Sequence, residues 1–171
     1  LKRPIRKPNE KLLKQDIEYK NVLVTGAGGS IGSELSRQII RKNPRLLILL
    51  DISEFALYLI ERELSEINAD IRVIPILGDV TQGPRLANIM KTLEVQTIYH
   101  TAAYKHVPMV EKNIISGVKT NIYGTLACIE AAIASNVENF VFISTDKAVR
   151  PTNMMGATKR FAELTLQAVA Q

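Results

Sequence analysis

Hydrophobic positions along this chain fall into two alternating kinds of segment. The runs Val22–Thr25, Leu46–Asp51, Ile71–Leu77, Thr97–Ala102 and Asn139–Ser144 are short, mostly apolar and free of strict polar alternation. That is the pattern of parallel strands covered on both faces. Between them, apolar positions return at helical spacing over residues 30–42, 53–67, 82–94, 115–135 and 155–170. Gly83-Pro84 marks a helix start, and Pro44 and Asn136 fall at turns. Repeated strand–helix–strand units require right-handed crossovers, which set helices on both faces of one sheet. The expected fold class is therefore α/β, a doubly wound parallel sheet in strand order 3-2-1-4-5. Its ligand crevice should open at the carboxyl ends of the strands, where the order reverses. Residues 1–20 carry two prolines and weak periodicity and read as a linker with a short helix; residues 21–171 read as one domain.

Composition narrows the class. The chain has 171 residues, of which 46% are hydrophobic and 23% charged, ordinary values for one globular domain with a sizeable core. No apolar run is long enough to span a bilayer and no secretory signal pattern opens the chain. Opening on Leu1 rather than Met, the chain is expected to be a segment of something longer. The single cysteine, Cys128, excludes an internal disulfide and reads as packing. Seven basic and three acidic side chains lie within residues 1–20, so four of the five net positive charges sit there. The remainder is nearly neutral, which argues against a nucleic-acid partner. The basic segment reads as a solvated linker, or more sharply as a tether held near anionic lipid.

Candidate chemistry lies at the predicted strand ends. Thr25-Gly26-Ala27-Gly28-Gly29-Ser30-Ile31-Gly32 follows the first strand and opens the first helix. Gly26, Gly29 and Gly32 suit a tight turn, a close approach to a pyrophosphate and helix–sheet packing, with Ser30 and Ile31 at the helix amino terminus. Asp51 ends the second strand, where a carboxylate binds the adenosine ribose hydroxyls and repels a 2′-phosphate, favouring NAD over NADP; a helix cap is its plainer role. Asp79 and Val80 follow the third strand and would meet the adenine. Ala102 and Ala103, small residues after the fourth strand, would let the backbone lie against the cofactor. Lys105 and His106 follow at the crevice mouth as candidate substrate contacts. His100 reads as a hydrogen-bonded structural histidine rather than a catalytic one. No His, Cys and carboxylate set has metal-ligand spacing, so no metal is expected. Asn121, a poor helix former inside a predicted helix, would brace the active-site lysine or a local bulge on the cofactor side. The fifth strand delivers Ser144, Thr145, Asp146 and Lys147 to the crevice, and Met155 and Lys159 share one face of the last helix. Lys159 would bond the nicotinamide ribose and depress neighbouring pKa values.

The stretches Val24–Leu35, His100–Glu111, Lys119–Thr125 and Ser144–Arg160 together resemble the extended short-chain dehydrogenase/reductase family, with its Rossmann-like fold. Within it they resemble the nucleotide-sugar 4,6-dehydratases of bacterial polysaccharide and glycan biosynthesis, which act on UDP-N-acetylglucosamine. The resemblance runs from Asn21 to the end. Its most specific element is the lysine after the aspartate, with Met155 standing where related enzymes place tyrosine. It implies NAD as cofactor and a UDP-sugar as partner. It also implies hydride removal from sugar C4, loss of the C5 proton to Lys147, protonation of the departing C6 hydroxyl by Asp146 and hydride return to C6. With Met155 in the tyrosine position the C4-hydroxyl base is left open; Thr145, relayed through Asp146, is the expected one. The resemblance further implies membrane association through residues upstream of Leu1, a location at the cytoplasmic face of the inner membrane and a homo-oligomer. Family members carry a carboxyl-terminal lobe beyond Gln171 that grips the UDP-sugar, so this stretch is expected to bind cofactor and turn over poorly alone. A 4-epimerase or reductase on the same fold would need a titrating group at position 155. A non-catalytic NAD-binding module would have no use for Thr145, Asp146 and Lys147.

Overall fold

In the computed structural model, which describes residues 9–169, five strands form one parallel sheet. They are β1 (Asn21–Thr25), β2 (Leu46–Asp51), β3 (Arg72–Leu77), β4 (Thr97–His100) and β5 (Asn139–Phe142), in the order β3-β2-β1-β4-β5. The expected doubly wound order is the one observed. All pairings are parallel, with Val22 opposite Leu47 on one side and Thr97 on the other. The basic residues Lys2, Arg3, Arg6 and Lys7, and the final residue of the predicted 155–170 helix, lie outside the described residues.

Helices occupy both faces. The helices α1 (Glu10–Ile17), α2 (Ser30–Ile40) and α3 (Glu54–Ile67) pack with Val22, Val24, Leu47 and Leu49 into one core layer. The opposite layer joins Leu23, Ile48, Leu50 and Ile98 to α4 (Gly83–Thr92) and α7 (Thr125–Ala134). Neighbouring residues of β1 thus feed opposite layers, as the two-residue period of a strand dictates. Local signals fix the helix ends: the Ser53 hydroxyl accepts from Ala56 N at 3.3 Å, and Pro84 sits at the start of α4.

Coverage of both faces holds for the central strands and fails at the edges. Every residue of β1, β2 and β4 is buried, whereas β3 and β5 are part-exposed along their length. An edge strand has a neighbour on one side and less helix above it. β4 ends at His100 and β5 at Phe142, two residues short of the apolar runs, because the chain turns there into the crevice.

The predicted helix over 115–135 is not continuous. A short helix α6 (Ile114–Val118) passes into a π-helical turn, Lys119–Gly124, before α7 begins. A further helix, α5 (Val107–Lys112), precedes it in a stretch for which the sequence predicted no helix. The last helix, α8 (Met154–Val169), follows a short 3₁₀ turn at Asp146–Ala148.

Candidate functional site

At the carboxyl ends of β1–β4 lies a cleft of about 410 Å³, within the usual size of cofactor sites. Three strand-to-helix turns build it. After β1 the chain enters α2 through Gly26 at φ +69°, in the left-handed region. A Cβ there would stand 2.7 Å from Ala102 N, so only glycine lets the turn lie against the strand beside it. Gly29, at the N-cap of α2, offers no side chain to the first-turn N–H groups, which leaves them available to an anion.

After β2 the Asp51 carboxylate, nearly buried, accepts from Gly28 N through one oxygen and from Ser53 N through the other, both at 2.8 Å. Each oxygen keeps a second lone pair for a ligand hydroxyl. After β3, Asp79 accepts from Thr81 N at 2.8 Å in a local turn. Lys105 reaches across the opening, donating from Nζ to Ser30 Oγ at 3.3 Å.

The cleft wall brings together Gly26, Gly29, Ser30, Ile31, Gly32, Asp51, Asp79, Val80, Ala102, Ala103, Lys105 and His106. It also uses Gly28, Ile52 and Thr101, which the sequence reading did not single out. Gly28 lies between two motif glycines, and spacing alone does not separate its link to Asp51 from theirs. These parts fit a dinucleotide: uncapped N–H groups for a diphosphate, a held carboxylate for a ribose and a glycine turn with no room for side chains.

Asn121 lies outside the cleft lining. It is fully buried, accepts from Tyr104 N at 2.8 Å and donates from its amide to Tyr104 O and to Thr158 Oγ1, each at 3.0 Å. It sits in the π turn, behind the cleft wall, and holds the Tyr104 loop. His100 is also fully buried, 2.7 Å from Thr25 Oγ1 and 3.1 Å from Thr125 Oγ1. Burial, helped by the Lys159 charge, pushes its pKa down to about 3, so it stays a neutral structural group.

The acid/base candidates form a separate cluster beyond the cleft. Thr145 donates to Asp146 Oδ1 at 3.1 Å and accepts from Lys147 N at 3.3 Å, while Lys147 Nζ lies 3.8 Å from Asp146 Oδ1. Asp146 and Lys147 are exposed, at 82% and 53% of their side-chain surface. Behind them, Lys159 is only 6% exposed; its Nζ donates to Ile143 O at 2.7 Å and sits 4.0 Å above the Phe142 ring. Burial lowers its pKa to about 8, against a raising influence from Glu163. Met155 is buried.

α8 is fastened to its surroundings. Glu111 accepts from Met154 N at 2.6 Å, a charged cap supplied from α5. Gly156 lies so close to the Lys147 carbonyl that a Cβ would collide with it. Among the described residues no group of His, Cys, Asp and Glu could hold a metal, and no helix is long and apolar enough to cross a membrane.

The sequence matches a family described as polysaccharide biosynthesis protein over residues 22–171. It is 43% identical over 159 residues to a capsular polysaccharide biosynthesis protein, CapD, of Staphylococcus aureus, which aligns 92% of this chain with 26% of that one. It is 35% identical over 141 residues to a UDP-N-acetylglucosamine 4,6-dehydratase (inverting) of Campylobacter jejuni, aligning 82% of this chain and 40% of the relative. Among solved structures, Pen from Bacillus thuringiensis is similar at a TM-score of 0.81 and 35% identity, over 90% of this chain and 47% of that one. DesIV, a dTDP-glucose 4,6-dehydratase of Streptomyces venezuelae with NAD and TYD bound, is similar at 0.76 and 26% identity, over 86% and 51%. The chain thus spans about half or less of the length of these proteins.

Proposed function

Because the chain belongs to the polysaccharide biosynthesis protein family, we propose that it forms the cofactor-binding and acid/base part of a nucleotide-sugar 4,6-dehydratase. The substrate we propose is UDP-N-acetylglucosamine and the product its 4-keto-6-deoxy derivative. The carrying observation is the pairing of a buried, non-titrating Met155 with a cluster of half-buried Thr145 and exposed Asp146 and Lys147 joined by hydrogen bonds. A site of that kind has moved its proton chemistry off position 155 and onto the strand-end turn.

The cofactor is NAD rather than NADP in this reading, supported by the Asp51 carboxylate, which would repel a 2′-phosphate. The uncapped first-turn N–H groups of Ser30, Ile31 and Gly32 would hold the diphosphate above the glycine turn, and Lys159 the nicotinamide ribose. The chemistry that NAD supplies when bound is hydride removal from sugar C4 and return to C6.

The chain's own residues handle the protons. Thr145 takes the C4 hydroxyl proton and passes it to Asp146, to which it is already bonded. Lys147, in its neutral form, removes the C5 proton, made acidic by the neighbouring ketone. Asp146 protonates the departing C6 hydroxyl so that it leaves as water, and Lys147 returns a solvent-exchanged proton to C5 as hydride adds to C6. General acid/base steps of this kind contribute roughly 10²–10⁴-fold each. The test is to incubate a chain extended to the length of the matched relatives with UDP-N-acetylglucosamine in deuterated water and to follow the sugar by proton NMR. A 4-keto-6-deoxy product bearing deuterium at C5 supports the reading; an unchanged sugar beside measurable NAD binding removes this substrate.

A further inference from the structure

Two contacts one helical turn apart join α8 to the end of β5. Lys159 Nζ donates to Ile143 O at 2.7 Å, and Ser144 Oγ donates to Glu163 Oε1 at 2.6 Å. Residues 159 and 163 share a helix face; residues 143 and 144 are consecutive and the next is Thr145. We infer that Glu163 and Ser144 form a strut that fixes the spacing between the Thr145–Asp146–Lys147 turn and Lys159, with the Glu163 carboxylate also balancing the buried Lys159 charge. The assignment of Glu163 as a positioning residue rests on the proposed dehydratase reading.

Three features separate a strut from a surface ion pair. Glu163 also pairs with Arg160 at 3.0 Å, and that i,i+3 pair alone would contribute little in solvent. The bond to Ser144 has the short length of a charge-assisted O–H···O⁻ contact and crosses from helix to strand end. Lys159 itself is nearly buried, and its recorded partners are a carbonyl and the face of a ring, leaving donors of its ammonium to spare. The groups that bear on its charge are the neutral His100 on β4 and Glu163 on α8, and Arg160 is paired with Glu163 at 3.0 Å.

Two substitutions divide the two parts of the role. Glu163→Gln keeps an acceptor for Ser144 and loses the charge; Ser144→Ala keeps the charge and loses the tie. Both are read first in the 171-residue chain, by nitrogen-15 lysine NMR for the Lys159 titration and by the backbone amide signals of residues 145–147. Glu163→Gln should lower the Lys159 midpoint by about one pH unit and leave the amide signals in place. Ser144→Ala should shift and broaden the amide signals of residues 145–147, Ser144→Thr should restore them, and neither should change NAD affinity. An unmoved midpoint in Glu163→Gln overturns the counter-charge, and unperturbed amides in Ser144→Ala overturn the strut. These readouts need no turnover, so an extended chain inactive on every UDP-sugar would sink the proposed reaction while leaving both results standing.

Discussion

The cleft and the cluster beyond it are built by opposite means. On the β1–β3 side the groups facing the cleft are mostly backbone N–H donors and one nearly buried carboxylate, set by turns with no room to shift. On the β5 side they are exposed side chains on a three-residue 3₁₀ turn, positioned from behind by α8. A diphosphate must be gripped the same way at every visit, and backbone on the rim of a buried sheet achieves that with little entropy left to lose. Proton transfer needs groups that reach solvent and change charge, which burial opposes. On the proposed reading the α8 side meets this by burying one charge, Lys159, and leaving Asp146 and Lys147 exposed.

That contrast can be broken from either side. The largest effect is expected from Lys147→Ala in an active extended chain. Turnover should fall roughly 10²–10⁴-fold while NAD affinity, measured by calorimetry, stays within about twofold; a parallel loss of cofactor binding would mean the two regions are one unit. Gly26→Ala attacks the other region. A β-carbon at φ +69°, 2.7 Å from Ala102 N, should cost about 1–3 kcal/mol in stability and weaken NAD binding, with denaturant unfolding and calorimetry as the checks.

His100 sharpens the contrast through pH. Its folded pKa, about 3, lies below its unfolded value, so its stabilising share is complete above about pH 6.5. That share is lost as pH falls toward 3, at up to about 1.4 kcal/mol per pH unit. Urea unfolding between pH 7 and 4 should show this slope in the wild type and a flatter one in His100→Gln. The smallest effect is expected from Asp51→Asn, which should narrow the proposed preference for NAD over NADP by about tenfold, the order of one hydrogen bond to a charged group; an unchanged ratio would move the discrimination elsewhere.

Much of this was legible in the chain. The five strands and their order follow from apolar runs bounded by turns, because a buried parallel strand leaves that trace. The glycine turn was legible because its motif sits between a strand and a helix. The misses share a cause, in that they depend on contacts distant in sequence. The partners of Asn121 are invisible locally, since Tyr104 and Thr158 lie 17 and 37 residues away. The helix α5 is six residues long with Pro108 at its start, too short for a periodic signal. Glu163 belongs to no motif in the sequence, and only the fold brings Ser144 to it. Gly28 carries its message to Asp51, 23 residues on.

The π turn at Lys119–Gly124 has a consequence for how this sequence can change. A wide turn of this kind amounts to one additional residue in an otherwise ordinary helix. Deleting a single residue there would let the backbone relax to regular α-helical pitch, and α7 could keep its seat on the sheet. The Asn121 amide, however, would rotate by about 100° away from Tyr104. The reading frame of one helix thereby encodes the position of a loop on the far side of the cleft wall. In this segment, length is under tighter constraint than side-chain identity.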